Sequence, residues 1–584
     1  MFYQNYDPLA NVLLSTLLAA LPILVFLYFL ALHPYREGAG GPLRFGISAP
    51  LAALIAWLTA ASIAVGILRM PAPAALSAFV YGMLAGWLGI IWIVVAAMFL
   101  YTMTLITGKF EVVKESMTHI SADRRLQVLI IAFSFGAIIE GTCGFGTPVA
   151  IAGAVMVGLG FQPLQSAVLN LIANTAPVAF GAIGTPILTL GLVTGIPAEL
   201  LSKMAGRQLP FISVLIPFWL VTVFAFMEGG AWQDVWAVWP AALLAGGVFA
   251  VLQFLISNSS WAFPLTDVVA GIVSVLAVVT FLRFWHPKKP FLLKRERQAA
   301  NPQGTGSPTS EARAPSSYPY TRRQTLQAWM PWIILIACVG LWGTPPLKAR
   351  LNNLIHGVTL FNLPMPYLHN RVHRMPPVAP ADSKPESAIF VVNWLSAAGT
   401  GVFVAALLSG FWLRLSPAQW WQAASSTARR MRIPVLTILQ VLGLGFLTRY
   451  SGTDAIIGLA FTRAGSLYPF FATLLGWLGV FLSGSDTASN ALFGSLQKIT
   501  AQQLHLDPLL ICAANSTGGV LGKMIDAQSI TVATAACYDN PRQGNAQVGP
   551  IFRRVIWHSV ALACLLGILV MLQAYVFTGM IPSR

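Results

Sequence analysis

Thirty-five residues from Leu126 to Gly160 are almost continuously apolar, and their middle reads Glu140-Gly-Thr-Cys-Gly-Phe-Gly-Thr-Pro148. A straight helix of that length overshoots a bilayer, because roughly 20 residues already cross a hydrocarbon core of about 30 Å. The flanks, Leu126 to Ile139 and Val149 to Gly160, are each too short to cross alone. Gly141, Gly144, Gly146 and Pro148 would break a helix at the centre in any case. The pattern predicts two half-helices meeting at a polar break inside the membrane. Irregular backbone is tolerated at that depth only where protein buries it or it lines a watery cavity. Glu140 stands at the break, and a carboxylate at membrane depth points to function.

The rest of the chain fits that setting. Of 584 residues, 56% are hydrophobic and 9% charged, which marks an all-α polytopic membrane protein rather than a soluble domain. The formal charge of +16 does not argue for nucleic acid, because basic residues gather in the loops of membrane proteins. Residues Met1 to Asp7 lack a basic leader region, so the first span is expected to be retained. Cys143, Cys338, Cys512, Cys537 and Cys564 lie in apolar stretches without CxxC or Cys/His spacing. They read as small buried hydrophobes, not as metal ligands. GxxxxGK[ST], HExxH and GxSxG are absent, which argues against an ATP-driven pump, a zinc protease and a hydrolase of the GxSxG type.

Three units follow from this reading. Residues 1–285 form a first membrane repeat, with spans at Asn11 to Leu32, Phe45 to Leu68 and Gly86 to Ile106 and a partial span at Ala72 to Ala85. Residues 286–325 form a cytoplasmic basic loop rich in Pro and Ser: Arg283 to Arg323 holds nine Lys or Arg against two Glu. Residues 326–584 form a second membrane repeat with a polar loop at 343–389. Its spans include Phe390 to Leu413 and Ile433 to Leu447, the latter preceded by an amphipathic piece at Pro417 to Arg430. About twelve full or broken spans and two hairpins are expected. The breaks recur in matching order. A hairpin broken at Glu140 to Pro148 precedes a helix broken at Asn174-Thr175. A hairpin broken at Ser483 to Asn490 precedes a helix broken at Asn515-Ser516. Ala173-Asn-Thr175 and Ala514-Asn-Ser516 are near copies. Paired interrupted segments in two halves point to a transporter site between two repeats, here read as inverted.

Helix N-termini attract anions through unpaired N–H groups and the positive end of the dipole. Thr147-Pro148, Thr175 to Pro177, Asp486-Thr487 and Ser516-Thr517 each suit the start of a half-helix. Four such ends meeting near the midplane would hold a carboxylate. The expected substrate-binding residues are Gly144, Gly146, Thr147, Asn174, Thr175, Ser485, Thr487, Asn515, Ser516, Thr517 and Lys523. The bland alternative is that Gly, Ser and Thr only let helices pack closely. Glu140 is the first candidate for carrying a proton and Asp486 its counterpart, although Asp486 could simply cap a helix. Lys523 could attract the substrate or pair with Asp526 or Asp486. Arg207, Gln208, Arg449, Arg463 and Lys498 read as interfacial.

The stretches EGTCGFGTPVAI, LIANTAPVAFGAIGTPIL, GWLGVFLSGSDTASNALFG and AANSTGGVLGKMI, together with QNYDP and RMPPV, resemble the bacterial lactate permease family over nearly the whole chain. The resemblance implies a secondary transporter, not an enzyme, that carries L-lactate, D-lactate and glycolate with protons across the bacterial inner membrane. It implies no cofactor, with the proton gradient as the driving force. A relation to the larger ion transporter superfamily implies inverted repeats, re-entrant hairpins and an elevator-like movement. The expected partners are a 2-hydroxymonocarboxylate, protons and the lipid bilayer, with no nucleic acid and an oligomeric state left open. Two alternatives remain at this stage: sodium-coupled carriage of another carboxylate, and an intramembrane enzyme or sensor.

Overall fold

The structure is a computed structural model that describes all residues except 30–32, 37–42, 46, 48, 119, 122, 145, 295, 297–318, 356, 381–382, 539 and 584. Most of the expected basic loop at 286–325 therefore lies outside the described residues. The fold is all-α, and among the described residues 10 helices are long and apolar enough to cross a membrane. The figure becomes 11 if the bent pair Pro163–Ala173 and Val178–Thr194 counts as one span; its two parts differ in direction by 67°.

Ten helices place the candidate site. They are α1 (Gly136–Cys143), α2 (Thr147–Gly158), α3 (Pro163–Ala173), α4 (Gly181–Thr194), α5 (Thr266–Phe281), α6 (Pro417–Ser451), α7 (Tyr468–Ser483), α8 (Asp486–Gln503), α9 (Pro508–Gly522) and α10 (Ala527–Cys537). Helix α1 continues a wide π-helical run, Val128–Phe135, and the window Arg124–Thr142 is wholly buried inside the protein. The first arm of this hairpin is thus enclosed by protein, whereas the second arm, α2, leaves Ala154 and Gly158 exposed. At the base of α1, Arg125 and Asp123 form a buried ion pair of 2.6 Å, and the Phe291 N–H donates to Asp123 at 3.0 Å.

Two expected breaks do not exist. Ala72 to Ala85 and Gly86 to Ile106 form one continuous helical stretch, Ala72–Ile106. The glycines there serve close packing: a Cβ on Gly82 would lie 2.4 Å from the Leu442 carbonyl oxygen, and one on Gly86 would lie 2.4 Å from the Leu442 Cδ1. The amphipathic piece at Pro417 to Arg430 likewise runs on into the span at Ile433 to Leu447 as the 35-residue α6, which Pro434 does not end. Among its described residues, the polar loop at 343–389 contains no helix long and apolar enough to span. It carries a short helix, Pro345–Asn352, and Phe361–Pro364 pairs antiparallel with Ile389–Val392. Phe2–Tyr3 pairs in parallel with Val372–His373, and Gln4 Nε2 donates to the carbonyls of Arg449 and Tyr450 at 3.0 Å each. The amino-terminal segment and the polar loop are thereby fastened over the end of α6.

Candidate functional site

The first hairpin closes where the sequence places it. Helix α1 ends at Cys143, Gly144 (φ 61°) and Gly146 (φ 74°) take left-handed conformations that side chains resist, and α2 begins at Thr147. The N-cap is Gly146 rather than Thr147, which is the first helical residue with Pro148 behind it. A Gly cap brings no side-chain oxygen to the helix start, so this end has no side-chain cap among the described residues.

Glu140 is 3% exposed and leans on α4: a Cβ on Gly181 would stand 2.8 Å from its Oε1. Its Oε2 has no hydrogen-bond partner among the described residues. Asn174 lies beside it, just past α3, 3% exposed, with neither amide atom in a well-formed hydrogen bond. Thr175 is turned away and donates to the Ile172 carbonyl at 2.6 Å. Beyond Asn174 the chain passes through a short 3₁₀ turn, Val178–Phe180, and then a run of three left-handed residues, Ala182, Ile183 and Gly184. Gly144 packs against this run; a Cβ there would lie 3.0 Å from the Ala182 Cβ.

The second hairpin joins α7 to α8 through Gly484 and Ser485. Ser485 is the N-cap, accepting from the Ala488 N–H at 3.2 Å, so Asp486 and Thr487 form the first turn of α8. The capping alternative for Asp486 therefore fails. Its Oδ2 accepts from Ser516 Oγ at 2.6 Å, and its Oδ1 leans on Gly519.

The helix expected to break at Asn515-Ser516 is continuous there. Helix α9 runs from Pro508 to Gly522, and the interruption falls at residues 523–526. Packing explains the difference. A Cβ on Gly518 would lie 2.1 Å from the Thr473 carbonyl oxygen, and one on Gly522 would lie 2.3 Å from that of Trp477. These glycines let α9 approach α7 backbone to backbone. Asn515, Ser516 and Thr517 accordingly sit mid-helix and form internal hydrogen bonds, not a helix start. Asn515 Nδ2 donates to Asn490 Oδ1 at 2.9 Å, while its Oδ1 accepts from Gln497 Nε2 at 3.0 Å. Asn490 Nδ2 donates to Ser516 Oγ at 3.0 Å, and Tyr468 OH to Gln497 Oε1 at 2.7 Å. Thr517 donates to Gln208 Oε1 at 2.6 Å, so Gln208 is fully buried rather than interfacial.

At the true interruption, Lys523 Nζ donates to the Gly484 carbonyl at 2.6 Å and lies 3.6 Å from Asp526 Oδ2. Asp526 Oδ1 accepts from the Ser529 N–H at 2.7 Å and so caps α10 itself. Of the four expected anion-binding ends, the one at Ser516-Thr517 is therefore not a helix start, and the one at Asp486-Thr487 is capped by Ser485; the start of α10, which is not among the four, is capped by Asp526. The end at Gly146-Thr147 has no such side-chain cap among the described residues.

The breaks of both halves lie together. Gly146 of the first hairpin approaches Val532 of α10: a Cβ there would lie 3.9 Å from the Val532 methyl groups. Asn490 Nδ2 crosses to the Pro186 carbonyl of α4 at 3.1 Å. The two hairpins pack on different parts of the bent pair, the first on the start of α3 and the second on the end of α4. Ser166 at the start of α3 donates to the Gly153 carbonyl in the first hairpin, while the Thr194 carbonyl at the end of α4 accepts from Lys498 in the second.

Sequence reasoning missed Asp267. It is fully buried at the start of α5, and a Cβ on Gly141 would stand 3.0 Å from its Cβ. Neither carboxylate oxygen has a hydrogen-bond partner among the described residues. The rule that singled out Glu140, an acid in an apolar span, applies equally to Asp267.

A pattern described as L-lactate permease matches residues 15–577, nearly the whole chain. The chain belongs to the L-lactate permease family. Like its relatives in this family, it is a permease and not an enzyme. It is 42% identical to the L-lactate permease of Escherichia coli K12 over 588 residues, covering 100% of both chains. It is 44% identical to the glycolate permease GlcA of the same strain over 583 residues, covering 99% of both. Among solved structures, the YdaH transporter of Alcanivorax borkumensis aligns over 99% of this chain and 100% of that one, at 13% identity and a TM-score of 0.43.

Proposed function

We propose that this permease imports L-lactate, together with D-lactate and glycolate, by proton symport across a bacterial inner membrane. The names of the relatives support the substrate class. The observation that carries the coupling is a buried carboxylate, Glu140, whose Oε2 lacks a partner beside an equally unpartnered Asn174 at the meeting of both halves' breaks. In this reading Glu140 takes up the proton when the site is open to the more acidic side and gives it up on the other. One proton with one monoanion is an electroneutral load, which makes the pH gradient the driving force.

The substrate carboxylate docks at the uncapped end formed by Gly144, Gly146 and Thr147, with the amide of Asn174 directed at its oxygens. Ser485, Asn515, Ser516 and Thr517 hold the opposite wall through their internal bonds, Thr487 stands in the first turn of α8 beside them, and Lys523 supplies positive potential from its place between Gly484 and Asp526. Packing of the two hairpins on different parts of the bent pair fits an inverted relation between the two halves. In that arrangement the helix tips form one site that opens to either side in turn.

The test is uptake of labelled lactate into proteoliposomes under an inward proton gradient, with choline replacing sodium in a parallel arm. Uptake that follows the proton gradient and ignores sodium supports the reading. Uptake that requires sodium, or none above empty vesicles, overturns it. Competition by glycolate and by longer 2-hydroxy acids then ranks the substrates.

A further inference from the structure

We infer that Asp267 and Glu140 form a carboxyl pair that holds the coupling proton between them. The inference rests on the proton-symport reading above and deepens it by assigning a second residue to the same site.

Three observations point to the pair. Asp267 is fully buried, and its Cβ lies against Gly141, the residue next to Glu140. Neither Asp267 oxygen has a hydrogen-bond partner among the described residues, and neither does Glu140 Oε2. Asn174, with both amide atoms also unpartnered, stands beside Glu140 on the remaining side. An acid in a first helical turn ordinarily earns its place by accepting a backbone N–H. Asp267 accepts none, so capping does not account for a buried acid here.

The elements packed against α5 leave Glu140 as its electrostatic partner. Those elements are α1, the π-helical run Val128–Phe135, the helix Trp239–Ser257, the 3₁₀ turn Phe263–Leu265 and α4. Glu140 is the sole acidic or basic residue on any of them. In the other half, Lys523 is held by the Gly484 carbonyl and faces Asp526. Two buried carboxylates with no cation between them do not both ionise; one proton shared across the pair relieves the repulsion. Binding of that proton on one side of the membrane and its release on the other changes the pair's net charge by one. No bond other than O–H is made or broken.

The experiment uses the full-length protein in proteoliposomes and two assays, pH-gradient-driven lactate uptake and lactate–lactate exchange across pH. Asp267→Asn is expected to lower gradient-driven uptake by roughly tenfold or more and to move the pH midpoint of exchange by about one unit, because the remaining acid loses its partner. Glu140→Gln is expected to do the same, and the double variant to be no worse than either single one. An Asp267→Asn protein with unchanged uptake and an unchanged pH profile, alongside a Glu140→Gln protein that has lost coupling, overturns the pair and leaves the symport reading standing. Glu140→Gln with normal coupling overturns both. Should Asp267→Asn fail to fold, Asp267→Glu is read in its place. It keeps the carboxyl and displaces it by one methylene, so a shifted midpoint with coupling retained supports the pair and an unshifted one overturns it.

Discussion

The two hairpin tips carry their acids differently. Glu140 and Asp486 each lean on a glycine of a following helix, Gly181 and Gly519, where any larger residue would collide with the carboxylate. Asp486 is then bound into a network through Ser516, Asn490, Asn515 and Gln497 that ends at Tyr468. Glu140 has no comparable network; Asn174 beside it is unpartnered, and so is Asp267. Buried polar groups that satisfy one another fix a structure, whereas unsatisfied ones mark a place kept for something else. Asp486 Oδ1 also lacks a partner among the described residues, so the tips differ in how far their acids are tied rather than in whether one oxygen is free, and we propose that the less tied first tip is the one that exchanges a proton or meets a substrate.

The sharpest way to break this contrast is at Lys523. If it is chiefly Asp526's partner, Lys523→Met leaves a buried carboxylate unpaired and destabilises the protein by about 3–5 kcal/mol. Adding Asp526→Asn should restore most of the loss in thermal unfolding of the detergent-solubilised protein. A Lys523→Met protein of normal stability that has lost only substrate affinity would instead make Lys523 a direct ligand.

The glycines give the next largest effect. Gly519→Ala would place a Cβ 2.3 Å from Asp486 Oδ1, and the Ser516 hydrogen bond hinders that carboxylate from moving away. The expected cost is about 3 kcal/mol. At Gly181→Ala the clash is with the freer end of Glu140, so the cost falls to about 1 kcal/mol and shows mainly as an altered pH dependence of uptake. Equal destabilisation by the two would remove the distinction between the tips.

The asparagines separate stability from transport most finely. Asn490→Ala strands Ser516, Asn515 and the Pro186 carbonyl and should cost about 1–3 kcal/mol. Asn174→Ala breaks no well-formed hydrogen bond among the described residues and should cost under about 1 kcal/mol while lowering lactate uptake roughly tenfold. Unfolding midpoints measured beside uptake rates decide whether the two residues divide their roles in this way.

Much of the site could be read from residues alone, and the failures share a cause. The turns at Glu140 to Thr147 and Ser483 to Asp486, and the bend after Asn174, were legible because Gly, Pro and capping residues act locally. Asn515 to Gly519 carries the same kinds of residue, yet no break forms there. Glycine serves two ends, turning a chain and letting another backbone approach, and only the position of α7 decides which applies. The merging of Ala72 to Ala85 with Gly86 to Ile106 is the same confusion, settled by Leu442 of α6. Asp267 escaped notice because it stands at the edge of its apolar run, where an acid reads as an interfacial group. Its depth depends on how far α5 slides along α1, which no local pattern encodes.

Ala182, Ile183 and Gly184 wind against the hand that L-residues prefer, at a cost of about 1–2 kcal/mol for each non-glycine residue. Just past that counter-wound stretch, the Pro186 carbonyl is taken by Asn490 from the opposite hairpin. The joint in one half is thus latched by an amide from the other. Any sliding of one half past its mate must first undo that latch, and the twisted joint is where the recoil would be felt.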